Sequence, residues 1–417
     1  MKESKFIEFK SEVTNTFLKT VSAFSNFGAG VIRFGINDDG TVCGIEDPKG
    51  ACLDIENSIN DNISPRPDYS LNIDARSRVI TLSVSEGKYK PYLYKGKAYK
   101  RYNTSTVPVD QIELKRLTLE GCNMYFEELP GGIDQPSFQY LEKKLIEKLS
   151  VSELTNDMLR TFGFLGDDGK VNVAGALFAD VNNFSGIDIA RFGTTVNEIS
   201  DRETLSGTSI LKQYDEAVAV FKRYYEYEKI EGFERVSVEN IPGEAFREAI
   251  ANALVHRTWD VDSHIRISMH PDRIEVSSPG GLPGGISEQE YLSGNISSLR
   301  NPVIGNMFFR MRYIEMFGTG IRRIKESYRN GTQKPRFDVR DNSITVILPV
   351  LTCGYTVTTD GQKVLDLLES GMILSGREIS EALGWGKDKS IRVVNELKKR
   401  GYVRVIGTGR GTKYSVS

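Results

Sequence analysis

The chain has 417 residues, more than one hydrophobic core usually serves, so two or three domains are expected. It is 39% hydrophobic and 26% charged, with no apolar run of eighteen residues, which excludes a membrane-spanning helix; the start MKESKFIEFK lacks a signal-peptide stretch. Four cysteines without a CxxC pair exclude a zinc or disulfide framework and point to reduced thiols in a cytoplasmic protein, while the net charge of −2 excludes a uniformly basic nucleic-acid binder.

The first block runs over residues 1–129. An early helix is expected around Asn15 to Asn26, followed by β-branched runs, VIRFGI and RVITLSV, that read as strands. The segment AFSNFGAGVIRFGINDDG reads as helix, glycine turn, buried strand and tight turn at Asp38-Asp39-Gly40. If the first strand pairs nearby, Glu3, Glu8 and Lys10 approach that turn, and converging carboxylates are what a metal-dependent phosphodiesterase needs. Downstream, Lys88 to Tyr102 holds six Lys/Arg, five Tyr and no acid, a mixture suited to phosphate neutralisation and base stacking, with Lys97, Lys100 and Arg101 as candidate contacts. The pieces E-x4-EFK, AFSNFGAGVIRFGINDDG and KAYKRYNTST resemble the Schlafen AlbA-like domain, also known as the divergent AAA-type domain. That resemblance implies nucleic-acid contact. In animal Schlafens it implies RNA cleavage by acids that match Glu3, Glu8 and Asp38.

After the boundary LPGGIDQPS, residues 136–351 alternate helical patterns (YLEKKLIEKL, AFREAIANALV) with strands (HIRISMH, RIEVSS, SITVILPVL). In REAIANALVHR, Glu248 and Asn252 share a helix face that His256 continues, and an amide oxygen beside a carboxylate suits a hard cation such as Mg²⁺. A glycine turn at Ser277-Ser278-Pro279-Gly280 and the helix-opening Gly318-Thr319-Gly320 follow; free N–H groups at such a helix start favour a phosphate. These motifs, with RNP between them, resemble the GHKL ATP-binding fold in its RecG-like branch. The resemblance implies ATP or ADP with Mg²⁺ as cofactor, Asn252 as metal ligand and Glu248 as the catalytic group orienting water. It also implies His256, Gly280, Gly318, Thr319 and Gly320 along the nucleotide. The Asp that in GHKL proteins binds the adenine amino group is missing here.

Past the linker CGYTVTTDG, residues 358–417 read as three helices, near Gln362–Glu369, Ser375–Leu383 and Lys387–Arg400, then the strands YVRVI and TKYSV. Ser375 with Glu378 has capping-box spacing. Nine Lys/Arg against two acids lie between Lys387 and Ser417, and the element order resembles a winged helix whose third helix enters a major groove. Lys389, Arg392 and Lys399 on that helix, and Arg410 in the hairpin, are the expected contacts to double-stranded DNA. The whole predicts a multidomain α/β (α+β) protein: an AlbA-like domain, a GHKL-like sandwich and a winged helix-turn-helix. The expected function is a DNA-binding transcriptional regulator sensing a nucleotide, a homodimer by resemblance and not bound to a membrane. The alternative is an enzyme, either a metal-dependent nuclease or an ATP-driven nucleic-acid-processing factor of the phage-defence type.

Overall fold

A computed structural model describes the chain except residues 1, 232–233, 284–285, 295–297, 316–317, 330, 332, 352–358, 370–371, 400–401, 408–411 and 417. It divides into two compact units, Met1–Leu351 and Thr352–Ser417. No helix among the described residues is long and apolar enough to cross a membrane.

In the first unit, the strands Ile7–Lys10, Gly30–Phe34, Val79–Val84 and Tyr69–Asp74 form a sheet in the order 1-2-4-3 by sequence. The first pair is parallel, with Glu8 opposite Ile32, and the rest are antiparallel. The helix Phe17–Phe27 is buried along nearly its whole length, so its polar residues need internal partners. They find them in the basic, tyrosine-rich stretch. Ser22 donates to the Tyr92 carbonyl (2.7 Å), and the Asn26 amide both donates to and accepts from the Tyr92 backbone at 2.9 and 2.8 Å. This anchorage turns Tyr92, Tyr94 and Tyr99 into core, beside Phe17, Phe34 and Leu82, where each large side chain contributes about 1.5–3 kcal/mol by burial. Gly30 is required here: a Cβ would stand 2.3 Å from the Phe24 ring.

A second core belongs to a six-stranded mixed sheet, ordered Ile199–Leu205, Ile187–Phe192, Ile265–Met269, Arg273–Pro279, Ser343–Pro349 and Arg336–Arg340. Ile187–Phe192 and Ile265–Met269 run parallel, and their neighbours are antiparallel. The helices Ile210–Tyr225 and Gly243–His256 pack against this sheet. Two further contacts tie the first unit together, one an ion pair and the other a pair of hydrogen bonds to a buried carboxyl group. Arg116, on the helix Gln111–Gly121, binds Asp260 through two nitrogens at 2.7 and 3.0 Å. The carboxylate of Glu127 accepts from the backbone N–H of Val303 (2.6 Å) and Ile304 (3.0 Å), capping the helix Pro302–Arg310 from outside.

The second unit contains helices Thr359–Glu369, Gly376–Leu383 and Lys387–Lys399 and a three-stranded sheet in which Lys413–Val416 lies between Leu374–Ser375 and Val403–Ile406. Ser375 and Glu378 form the capping box expected of them. Val364, Leu368, Ile379, Val394 and Leu397 make a separate small core.

Candidate functional site

The helix Gly243–His256 is fixed at its far end before it can serve a site. Asn301, of the RNP motif, donates to the carbonyls of Val255 (2.7 Å) and Arg257 (2.9 Å), satisfying groups a helix end leaves free. The buried Arg257 guanidinium donates to the carbonyls of Ser185 (3.0 Å) and Ser263 (2.6 Å) and stacks on Trp259; burial lowers its pKa to about 10. Two motif residues thus set the position of the helix rather than touching a ligand.

With the helix held, Glu248, Asn252 and His256 all line one cleft of about 120 Å³, together with Ser278, Gly280, Gly318 and Gly320. The Asn252 amide donates to Glu248 Oε1 at 3.2 Å. Glu248 is buried, which raises its pKa, with the Asn252 hydrogen bond opposing the rise. The helix Gly320–Ser327 begins directly against this pair: a Cβ on Gly320 would sit 2.3 Å from Glu248 Oε1 and 2.8 Å from Asn252 Nδ2. Thr319 is its N-cap residue and its side chain makes no cap bond, so that hydroxyl does not occupy the helix start. His256 is half-buried and, among the described residues, its ring makes no hydrogen bond; burial and the neighbouring Arg300 charge bring its pKa down to about 4. At the glycine turn, the Ser278 hydroxyl donates to the Ala253 carbonyl at 3.2 Å.

In the N-terminal block the predicted residues are distributed differently. Glu8 is buried between two cations, with Arg101 Nη1 at 2.9 Å from Oε2 and Lys10 Nζ at 2.7 Å from Oε1. Arg101 also donates to Thr106 Oγ1 (3.1 Å) and the Ser4 carbonyl (3.2 Å). Glu3 accepts from the Phe9 N–H at 2.8 Å, and Asp38 is exposed on its turn. Among the described residues, no three His, Cys, Asp or Glu side chains gather as a metal-holding group. Lys100 is paired with Glu113 at 2.6 Å, and Lys97 is exposed.

A family model described as "Schlafen, AlbA_2" matches residues 3–110. Another, described as "Putative ATP-dependent DNA helicase recG C-terminal", matches residues 262–348. The chain joins a Schlafen AlbA_2 domain to a RecG-type HATPase domain. This pairing ties it to nucleic acid and to ATP chemistry. The crystal structure of the DIP2311 protein from Corynebacterium diphtheriae is similar at 20% identity and a TM-score of 0.46, over 99% of this chain and 92% of that one. No curated protein matches.

The HATPase match contains Gly280 and Gly318 to Gly320 but begins after Glu248, Asn252 and His256, which stand on the cleft geometry alone. The second unit lies outside both matches. On its helix Lys387–Lys399, Arg392 and Lys398 are exposed opposite buried Val393, Val394 and Leu397. Lys389 is paired with Asp360 at 2.8 Å and lies over the Trp385 ring. Arg410 and the Lys399 side chain lie outside the described residues. The sequence reading missed Arg300, whose Nη2 donates to the Gly281 carbonyl at 2.7 Å, and Glu315, which lines the cleft. Arg300 is the first residue of the RNP motif, and that motif was the signal pointing to it.

Proposed function

We propose that the chain is a DNA-binding regulator in which a nucleotide, ATP or ADP with Mg²⁺, occupies the HATPase cleft, and the C-terminal unit acts as a winged helix on double-stranded DNA. The observation that carries the nucleotide part is the start of the Gly320–Ser327 helix lying directly against Glu248 and Asn252. A helix start without a side-chain cap offers N–H groups and a positive dipole end to phosphate oxygens. Glycine at 320 is what lets the helix start come this close, since a Cβ there would strike Glu248 and Asn252. Asn252 would give an amide oxygen to the cation, and phosphate and water would complete its oxygen shell. When bound, the cation neutralises phosphate charge. Glu248, held by Asn252, would accept a hydrogen bond from a water and orient it. Accordingly, Asn252→Ala is expected to weaken Mg²⁺-dependent ATP binding by tenfold or more in calorimetry. Glu248→Ala should keep binding and lose any hydrolysis. Intact protein that binds neither ATP nor ADP overturns this part.

For DNA, the supporting observation is the exposed cationic side of Lys387–Lys399 opposite its buried apolar side. A homodimer would present two such helices to half-sites about 34 Å apart. Arg392→Ala is expected to reduce the slope of log K against log salt by about 0.9 for duplex DNA. Lys389→Ala should lower it less, because its ammonium is already engaged by Asp360. Equal DNA affinity and salt slope in wild type and Arg392→Ala overturns the assignment of this helix. The regulator is favoured over a nuclease because Glu8, the central acid of the nuclease reading, is engaged by two cations.

A further inference from the structure

The cleft is polarised along the helix Gly243–His256. Glu248 and Asn252 face Gly320 at one end. His256, eight residues beyond Glu248, is about 12 Å farther along the axis, roughly the reach from a phosphate group to a base. There the helix meets the glycine turn, where Ser278 bonds Ala253 and a Cβ on Gly280 would stand 2.8 Å from Thr258 and 3.0 Å from Arg300 Nη1. The floor between is apolar, from Val276, Ile344 and Val346.

The charges at the two ends differ. Glu248 and Glu315 are the carboxylates among the described lining residues. Glu248 belongs to the Gly320 end, and Glu315 is tied at 3.2 Å to Arg323, within the helix that starts there. Around His256 and Ser278 the described lining residues include no carboxylate, while the Arg300 guanidinium, outside the lining, stands behind Gly280 and holds Gly281; Asp260, the carboxylate that acts on it, is paired with Arg116. The proton of the Ser278 hydroxyl is already given to Ala253.

A base carrying an amino group at position 6 gains from an anionic acceptor, and a base carrying an oxo group there is repelled by one. A cation and an imidazole N–H reverse that preference, since they complement the carbonyl oxygen. Resting on the nucleotide assignment above, we infer that this cleft takes a 6-oxopurine nucleotide, the guanine class, at least as tightly as an adenine nucleotide, with His256 and Arg300 as the groups that set the choice. The lowered pKa of His256 keeps its ring neutral near pH 7, so its one N–H can be turned to an oxo group, with no hydrogen-bond partner to the ring among the described residues, while the bias against an amino group comes from the Arg300 charge.

The test is a direct comparison of GTP and ATP, with Mg²⁺, on the full chain by isothermal titration and by displacement of a fluorescent purine nucleotide. GTP binding that is tighter than ATP, or weaker by no more than threefold, supports the inference. ATP tighter than GTP by more than threefold overturns it and leaves the nucleotide assignment standing. Binding of neither removes both. Ser278→Asp supplies the second measurement, with its fold checked by circular dichroism. A carboxylate at that position is expected to shift the ATP-to-GTP ratio toward ATP by tenfold or more, and an unchanged ratio in the folded variant overturns the placement of the base at this end.

Discussion

Replacing Arg101 by Met is expected to cost about 3–5 kcal/mol of stability, the range for removing one partner of a buried ion pair. Arg101 is 8% exposed and Glu8 6%, so the carboxylate left behind has little water to turn to. Lys10 remains at 2.7 Å, which places the expectation toward the lower end of the range. The contacts of Arg101 to Thr106 and to the Ser4 carbonyl disappear as well. Replacing Glu8 and Arg101 together by apolar residues of similar volume should recover most of the loss, because no unpaired charge is then buried. Urea unfolding of the four forms measures the coupling. A midpoint unchanged in Arg101→Met, accompanied by weaker nucleic-acid binding, would instead make Arg101 a nucleic-acid contact. The same energetics bear on the nuclease alternative: loss of cleavage in Glu8→Ala counts as catalytic only if the variant keeps its unfolding midpoint.

Local signals in the sequence were read where neighbours in the chain are neighbours in space. The capping box of Ser375 and Glu378 is three residues wide, the shared face of Glu248 and Asn252 is one helical turn, and the Gly320 helix start is contiguous. Non-local pairing was hidden. Glu8 meets Arg101 across 93 positions, and Glu127 meets Val303 across 176. The tyrosines of Lys88 to Tyr102 illustrate the difficulty. Interleaved with lysines they suggest stacking on bases, yet Tyr92, Tyr94 and Tyr99 point into the core while Tyr89 and Tyr102 stay exposed. What decides this is the bond network from Ser22 and Asn26, on a helix some seventy residues earlier, and no periodicity within the stretch reveals it. The joint between the first two blocks was invisible for the same reason: Arg116 and Asp260 are 144 positions apart.

Glu127 gives the second large effect, and its sign is unusual for a carboxylate. It is fully buried, and desolvation pushes its pKa from 4.5 up to about 7, against the two backbone N–H groups of Val303 and Ile304 that favour the charged form; Glu128 adds to the rise. The folded chain therefore binds more protons than the unfolded chain between about pH 4.5 and pH 7. Its contribution to stability is fully present below about 4.5 and is lost as pH rises through about 7, a total of roughly 3 kcal/mol for a shift of this size. Glu127→Gln cannot ionise, and it keeps one oxygen for one of the two N–H groups. At pH 5 the variant should resemble the wild type, apart from a cost of about 1–3 kcal/mol for the N–H left without an acceptor. Between pH 5 and pH 8 the difference in unfolding free energy should move by about 2.5 kcal/mol in favour of the variant, because only the wild type loses stability through this group. Urea unfolding at half-unit pH steps supplies the two curves. Parallel curves would mean that Glu127 is ionised throughout, with the helix start at Val303 and Ile304 holding a buried negative charge.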